Sequence, residues 1–273
     1  MNITGVRDAA GAVAAGAQTP AGVQTLTALA FLIAWQLIGM TGSILSELFP
    51  PITEIIKSLW HYLTTPILIP HLYASLYEVL GGLLVGSLFG IPLGILFGSR
   101  RSFMQVMEPI ILYLAVVPKI IVFPVFILFL GIGTHSKLAV AAIAAFFPIA
   151  LLTITGMREV RPVFLDVARI LGASTLKIAT RIYLPAIAGY VFTGLRIGLG
   201  AAVTGALLAE TKIARAGLGF MIVEYYGQFR MADMYALLLF IFILAALANW
   251  GMKALFSLLL PLPRSSENVA AFI

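Results

Sequence analysis

The interval Arg158–Pro185, REVRPVFLDVARILGASTLKIATRIYLP, is the longest charged stretch in an otherwise mostly apolar chain. It holds Arg158, Arg161, Arg169, Lys177 and Arg181, five of the 17 Lys and Arg residues. Apolar runs of membrane length flank it on both sides. A polar loop this long, between spans joined elsewhere by short links, reads as the place where the chain meets something in water.

The rest of the composition sets the class. Apolar residues make up 61% of the 273 residues and charged residues 10%, with a mean hydropathy of +1.07. A water-soluble domain carries roughly 25% charged residues, so this chain lacks the polar surface to cover a soluble core. The apolar runs are continuous and do not alternate with period 2, so the class is all-α integral membrane, not a barrel. The chain has no cysteine, which excludes disulfides, thiolate metal sites and a cysteine nucleophile. The basic residues flank spans and do not form a stripe with interleaved aromatics, which argues against a nucleic-acid partner.

Six spans are expected, near residues 23–40, 72–98, 106–131, 137–156, 186–208 and 234–260. Residues 1–22 read as a cytoplasmic N-terminal tail and 261–273 as a cytoplasmic C-terminal tail. The stretch 23–71 holds the first span and an amphipathic helix from Ile52 to Tyr62, placed in the outer membrane interface. The core domain then covers 72–260. In the second span Gly82, Gly86, Gly90, Gly94 and Gly98 recur every fourth residue. That row lies on one helix face and lets another backbone approach closely. The third span contains Pro109, Pro118 and Pro124, which predicts a bent or broken helix, with Lys119 inside it. The fifth carries Arg196 between Gly194 and Gly198, and Glu210 at its far end. Ionisable residues inside a membrane are candidates for function, so Lys119, Arg196 and Glu210 are candidate translocation-pathway residues. Lys119 has an alternative reading, as a partner for carbonyls freed by the prolines.

Charge placement orients the chain. With both termini inside, the inner segments hold Arg7, Arg100, Arg101, the five cations of the long loop, Lys253 and Arg264. The outer segments hold fewer: Lys57, Lys137, Lys212, Arg215 and Arg230. The positive-inside bias therefore puts Arg158–Pro185 in the cytoplasm. Within it, Pro162–Leu171 reads as a short helix with Val163, Phe164, Val167, Ala168 and Leu171 on an apolar face. Ser174 caps a second helix, and Gly172 divides the two. Such a pair suits a groove on a soluble partner or packing on its own membrane domain.

The spacing distinguishes these readings. Asp166-Val167-Ala168, three residues, Gly172, nine residues, then Ile182-Tyr183-Leu184-Pro185 resembles the EAA signature of ABC-importer permeases. The departures are Asp166 for Glu and Val167 for Ala. Further stretches are similar to the nitrate, sulfonate, taurine and bicarbonate branch of type I importer permeases. They are Leu48-Phe49-Pro50, His71–Gly81, Pro118-Lys119-Ile120 with Pro124, Gly131-Ile132-Gly133, Phe147-Pro148-Ile149 and Gly217-Leu218-Gly219. The resemblance covers about residues 45–260. Riboflavin-precursor, pyrimidine-precursor and aromatic-acid permeases share these stretches, so they do not name a substrate.

The resemblance implies a MetI-like, type I importer fold with coupling helices between spans four and five. It implies a bacterial inner-membrane permease working as a homodimer or with a second permease subunit. Two cytoplasmic ATPase subunits and an extracytoplasmic solute-binding protein complete the assembly. Asp166, Val167, Ala168, Gly172, Ile182, Leu184 and Pro185 would engage the ATPase. No G-x-x-x-x-G-K-[ST] phosphate loop is present in the sequence, so ATP and magnesium would sit on the partner and this chain would not itself be an enzyme. Lys119 and Arg196 would favour a small anion such as a sulfonate, nitrate, bicarbonate or carboxylate. The alternatives are the same role for a vitamin or pyrimidine precursor, and an ATP-independent secondary transporter using Lys119, Glu78 or Glu210. Glu210 and the interval 211–233 are expected outside, meeting the binding protein or forming an outer gate.

Overall fold

The computed structural model describes residues 19–42 and 47–259, and every regular element among them is helical. The expected tails fall outside the described residues, apart from residues 19–22. In chain order the helices are α1 (Pro20–Gly39), α2 (Ile52–Thr64), α3 (Leu68–Gly98) and α4 (Arg101–Val116). A 3₁₀ turn (Lys119–Val122) leads to α5 (Phe123–Leu130), followed by α6 (Thr134–Glu159), α7 (Pro162–Ile170) and α8 (Thr175–Ile178). A π turn (Ala179–Tyr183) joins α8 to α9 (Leu184–Glu210), and α10 (Leu218–Gly227) and α11 (Met231–Leu259) complete the chain.

Among the described residues, five helical segments are long and apolar enough to cross a membrane: α1, α3, α6, the α8–α9 run and α11. The segment around α4 and α5 adds a sixth as a broken span or re-entrant loop, bent by 84°. The three prolines foretold a break, and the structure puts it at Val117–Pro118. The interval between α9 and α11, expected to lie outside the membrane, contains the helix α10. Leu218 and Met221 of α10 are buried there, so this interval packs as well as connects.

The described residues form two compact units, residues 19–66 with 224–238, and residues 67–223 with 239–259. In the first, Thr19 caps α1 by accepting the Gly22 amide at 3.1 Å, with Pro20 in the first turn where no N–H is lost. Gly39 lets the chain turn back, because a Cβ there would sit 2.6 Å from the Pro51 nitrogen. The Trp35 indole donates to the Pro50 carbonyl at 3.1 Å. Ile56, Trp60 and Leu63 of α2 form an exposed apolar stripe. Burial, with Tyr225 and Asp233 nearby, pushes the Tyr62 phenol above its ordinary range.

In the second unit α6 is the central helix. Its small residues Ala141, Ala142, Ala144, Ala145 and Ala150 are all buried. Against one side lie the α3 glycines. A Cβ on Gly86 would stand 2.8 Å from the Ala142 carbonyl oxygen, and one on Gly94 would stand 2.9 Å from that of Ala150. Against another side lie the α9 glycines. A Cβ on Gly194 would meet the Ile149 Cα at 3.1 Å, and one on Gly205 the Val140 carbonyl oxygen at 3.2 Å. Backbones this close gain dispersion contacts that lipid cannot replace, which is how helices associate where no hydrophobic drive exists. Val79, Ile149, Leu199 and Ala206 fill the space between the three helices. On α4, Ile111 packs against Phe147 and Ile154 of α6.

Candidate functional site

The loop after α6 folds as two short helices. Arg158 remains tied to the membrane unit by an ion pair with Glu108 of α4 at 3.2 Å. Pro162 occupies the first turn of α7. The end of α7 is closed by a Schellman arrangement: the Gly172 amide donates to the Arg169 carbonyl at 3.0 Å and the Ala173 amide to the Ala168 carbonyl at 2.9 Å. That closure needs a left-handed residue, and Gly172 has φ +70°. Nothing lies within 4 Å of where its Cβ would be, so the glycine is required for backbone conformation and not for space. Ser174 then caps α8, accepting the Lys177 amide at 3.4 Å.

Two faces of this loop differ. Ile182 and Tyr183 turn inward, against Met157, Val160 and Ile187. Val163, Phe164, Val167, Ile170, Leu171 and Leu176 are exposed, with Ile170 83% and Leu171 79% accessible. Asp166 is also exposed and pairs with Arg169 at 3.0 Å. The Leu184 amide reaches back five residues to the Ala179 carbonyl. This widened turn lies immediately before Pro185, whose ring leaves no N–H for the Arg181 carbonyl and would clash with it in a regular helix.

Lys119 sits at the break after α4. Its ammonium donates to the carbonyls of Leu114 at 3.1 Å, Ala115 at 2.6 Å and Val117 at 2.6 Å. It also lies 4.6 Å from the centre of the Phe147 ring. An ammonium has three N–H donors, and each finds a carbonyl left open by the end of the helix. Arg196 lies on an exposed face of α9, where its Nε–H donates to Asn249 Oδ1 of α11 at 2.6 Å.

Glu210, expected at the far, outer end of its span and as a pathway candidate, is buried at 1% exposure. It accepts from Ser75 Oγ at 2.6 Å and from the Gly219 amide at 2.6 Å. Ser75 in turn accepts the Leu218 amide at 2.8 Å. Lys137, expected in an outer segment, is also buried and lies 2.5 Å from Glu78 Oε1. It donates to the Ala216 carbonyl at 3.3 Å, and His71 Nδ1 accepts the Gly217 amide at 3.2 Å. A Cβ on Gly217 would collide with the Glu210 carboxyl. A buried polar knot thus fastens the first half of α3, the start of α6, the end of α9 and the loop into α10. Sequence reasoning noted its members one by one. The signal that could have joined them is depth, because each ionisable group lies near the same end of its span.

Among the described residues no cluster of His, Asp and Glu has metal-binding geometry. The profile of the family described as "binding-protein-dependent transport system inner membrane component" matches residues 90–263. The chain is 36% identical over 186 residues to the taurine transport system permease protein TauC of Escherichia coli, covering 68% of this chain and 67% of that one. It is 32% identical over 190 residues to the putative aliphatic sulfonates transport permease protein SsuC of Bacillus subtilis, covering 70% and 69%. It is 31% identical over 190 residues to the nitrate import permease protein NrtB of Synechocystis, again covering 70% and 69%. A solved inward-facing methionine ABC transporter, MetNI, has a chain that superposes with a TM-score of 0.62 at 20% identity, covering 69% of this chain and 94% of that chain.

Proposed function

This chain belongs to the binding-protein-dependent transport system inner membrane component family, and on that premise we propose how it works as an ABC-importer permease. The loop Arg158–Pro185 docks in a groove on a separate cytoplasmic ATPase. The α3–α6–α9 body carries the resulting motion to the far side of the membrane. ATP and magnesium belong to that partner. A solute-binding protein delivers substrate from outside, and a second permease subunit, identical or related, completes the pathway. Both termini lie in the cytoplasm of a bacterial cell.

The carrying observation is the exposed apolar face of α7, with Ile170 and Leu171 almost fully accessible beside Asp166. A short helix with that much uncovered apolar surface, on a loop otherwise rich in charge, is built to be covered by another protein. The inward anchoring of Ile182 and Tyr183 supports the same reading, because a docked load must be transmitted to the spans. The cargo is a small anion such as a sulfonate, nitrate, bicarbonate or carboxylate. Supporting this are relatives named for taurine, aliphatic sulfonates and nitrate, and the exposed cation Arg196 within a membrane segment.

Affinity-tagged chain, coexpressed with a candidate ATPase and a candidate solute-binding protein, tests the reading. We expect the ATPase to copurify and the pair to hydrolyse ATP faster when loaded binding protein is added. Val167→Glu with Leu171→Glu should abolish copurification while leaving the chain in the membrane. Retention of the ATPase by that variant would refute the docking role.

A further inference from the structure

Two open faces of the same helical body differ in chemistry. On α3, Leu80, Leu84 and Leu88 are exposed in sequence, a surface made for lipid. On α9, the exposed residues Arg196, Gly200 and Thr204 share one face with Gly189 and Thr193. Gly189 and Gly200 have nothing within 4 Å of a Cβ position, whereas Gly194, Gly198 and Gly205 on the other side of α9 are packed against α6. Among the described residues, the open glycines therefore serve no packing. Ile197 and Leu208 flank this face.

Arg196 stands about 18 Å from one end of α9 and about 21 Å from the other, at about 1.5 Å rise per residue. That is the middle of a hydrocarbon core about 30 Å thick. An accessible guanidinium at that depth cannot face lipid cheaply, and its position far from either interface defeats snorkelling. It is also held in one orientation. Asn249 takes the Nε–H at 2.6 Å. Phe192 of α9 and Phe256 of α11 stack nearby with ring centroids 3.9 Å apart. With Nε–H occupied, the two terminal nitrogens remain as a planar fork pointing away from the pair, the geometry that receives two oxygens of one anion. Lys119 differs here, because its three N–H groups already meet three carbonyls.

We propose that the Arg196 guanidinium, oriented by Asn249, is the anion-recognition group of the translocation pathway, and that the Gly189–Thr204 face of α9 lines it. The ligand class is a small oxyanion with two coplanar or tetrahedral oxygens, as in a sulfonate, carboxylate or nitrate. Arg196 holds it end-on, and the small side chains of this face leave it room. This assignment rests on the permease reading and adds which residue selects for charge.

The absence of cysteine from the chain permits a test that needs no known substrate. Thr204→Cys is made in the full chain, assembled with its partners in native membranes. It is reacted with an anionic sulfonatoethyl methanethiosulfonate and with a cationic trimethylammonioethyl methanethiosulfonate. Each rate is divided by that reagent's rate with a free thiol in solution. The anionic reagent is expected to be favoured by roughly tenfold, because Arg196 lies two turns away, about 12 Å along α9, and acts with opposite sign on the two reagents. Arg196→Gln should bring the ratio near one, and Arg196→Lys, which keeps the charge, should retain a preference for the anion. Thr193→Cys gives a second reporter on the same face should Thr204→Cys fail to assemble. No reaction at either position, or oxidation to a crosslinked dimer there, would mean lipid or a second copy covers this face and would overturn the proposal. Equal normalised rates, unchanged by Arg196→Gln, would overturn it too. Copurification of the ATPase with such an inert variant would leave the permease reading intact and remove this assignment alone.

Discussion

The loop Arg158–Pro185 and the knot of Glu78, Lys137 and Glu210 sit at opposite ends of the same two helices. Lys137 and Arg158 lie near the two ends of α6 (Thr134–Glu159), and Pro185 and Glu210 at the two ends of α9 (Leu184–Glu210). The loop is open: its apolar side chains are exposed, its ion pair between Asp166 and Arg169 is solvated, and its fold depends on one glycine. The knot is closed: its charges are buried and paired, and loop amides at Gly217, Leu218 and Gly219 are tied to it. On the proposed function the open end would receive a partner, and the closed end would hold position until something pulls on it. Between them α6 extends about 39 Å and is gripped on two sides by glycine contacts too tight to slide. If the loop docks on an ATPase as proposed, α3, α6 and α9 would act as one lever with a handle at the loop and a latch at the knot.

The largest effect is expected at the handle. Gly172→Pro cannot reach φ +70° and loses the amide that donates to Arg169, so the closure of α7 fails. Uptake should fall to background while membrane insertion and the amount of protein stay normal. Survival of transport with normal ATPase stimulation would break the comparison from the loop side.

At the latch, Lys137→Met leaves buried carboxylates without their cation and should cost about 3–5 kcal/mol, measured as a drop in thermal midpoint in detergent. Glu78→Gln added to Lys137→Met should recover most of that loss. If the single variant is as stable as the parent, the knot is not a latch. Between the two ends, Gly198→Leu drives a side chain into Ile149, where even a Cβ would lie 2.9 Å from Cδ1. A cost of about 1–3 kcal/mol is expected, together with ATPase stimulation that no longer yields uptake. The smallest effect on stability belongs to Asp166→Asn. Its ion pair is exposed on both sides, so the thermal midpoint should shift by under about 0.5 kcal/mol equivalent. Any transport defect in that variant would then report on partner contact alone.

The two regions also differ in how far the sequence revealed them. The loop was legible because its information is local. Gly172, Ser174, Pro162 and Pro185 act on residues a few positions away, and the apolar face follows helical spacing. The spans were legible from run length, and the glycine row of α3 from its period of four. The knot was hidden because it is made by tertiary contact. Lys137 looked like a loop cation until α3 and α9 were placed beside it, and Glu210 looked like a surface charge until Ser75, distant in sequence, met it. The break at Lys119 was half visible: three prolines announced it, but only the folded chain shows the ammonium closing the end of α4. The helix Leu218–Gly227 was missed because its stretch carries polar residues, and burial of Leu218 and Met221 decided it.

The lever stands or falls on whether the loop is covered by a partner. Ile170→Cys, the only cysteine in its chain, should react readily with a maleimide in the isolated permease, where Ile170 is 83% accessible. In the complex with the ATPase its labelling should fall at least severalfold, and it should recover when the ATPase is stripped away. Equal labelling in the isolated chain and in an active complex would contradict the account.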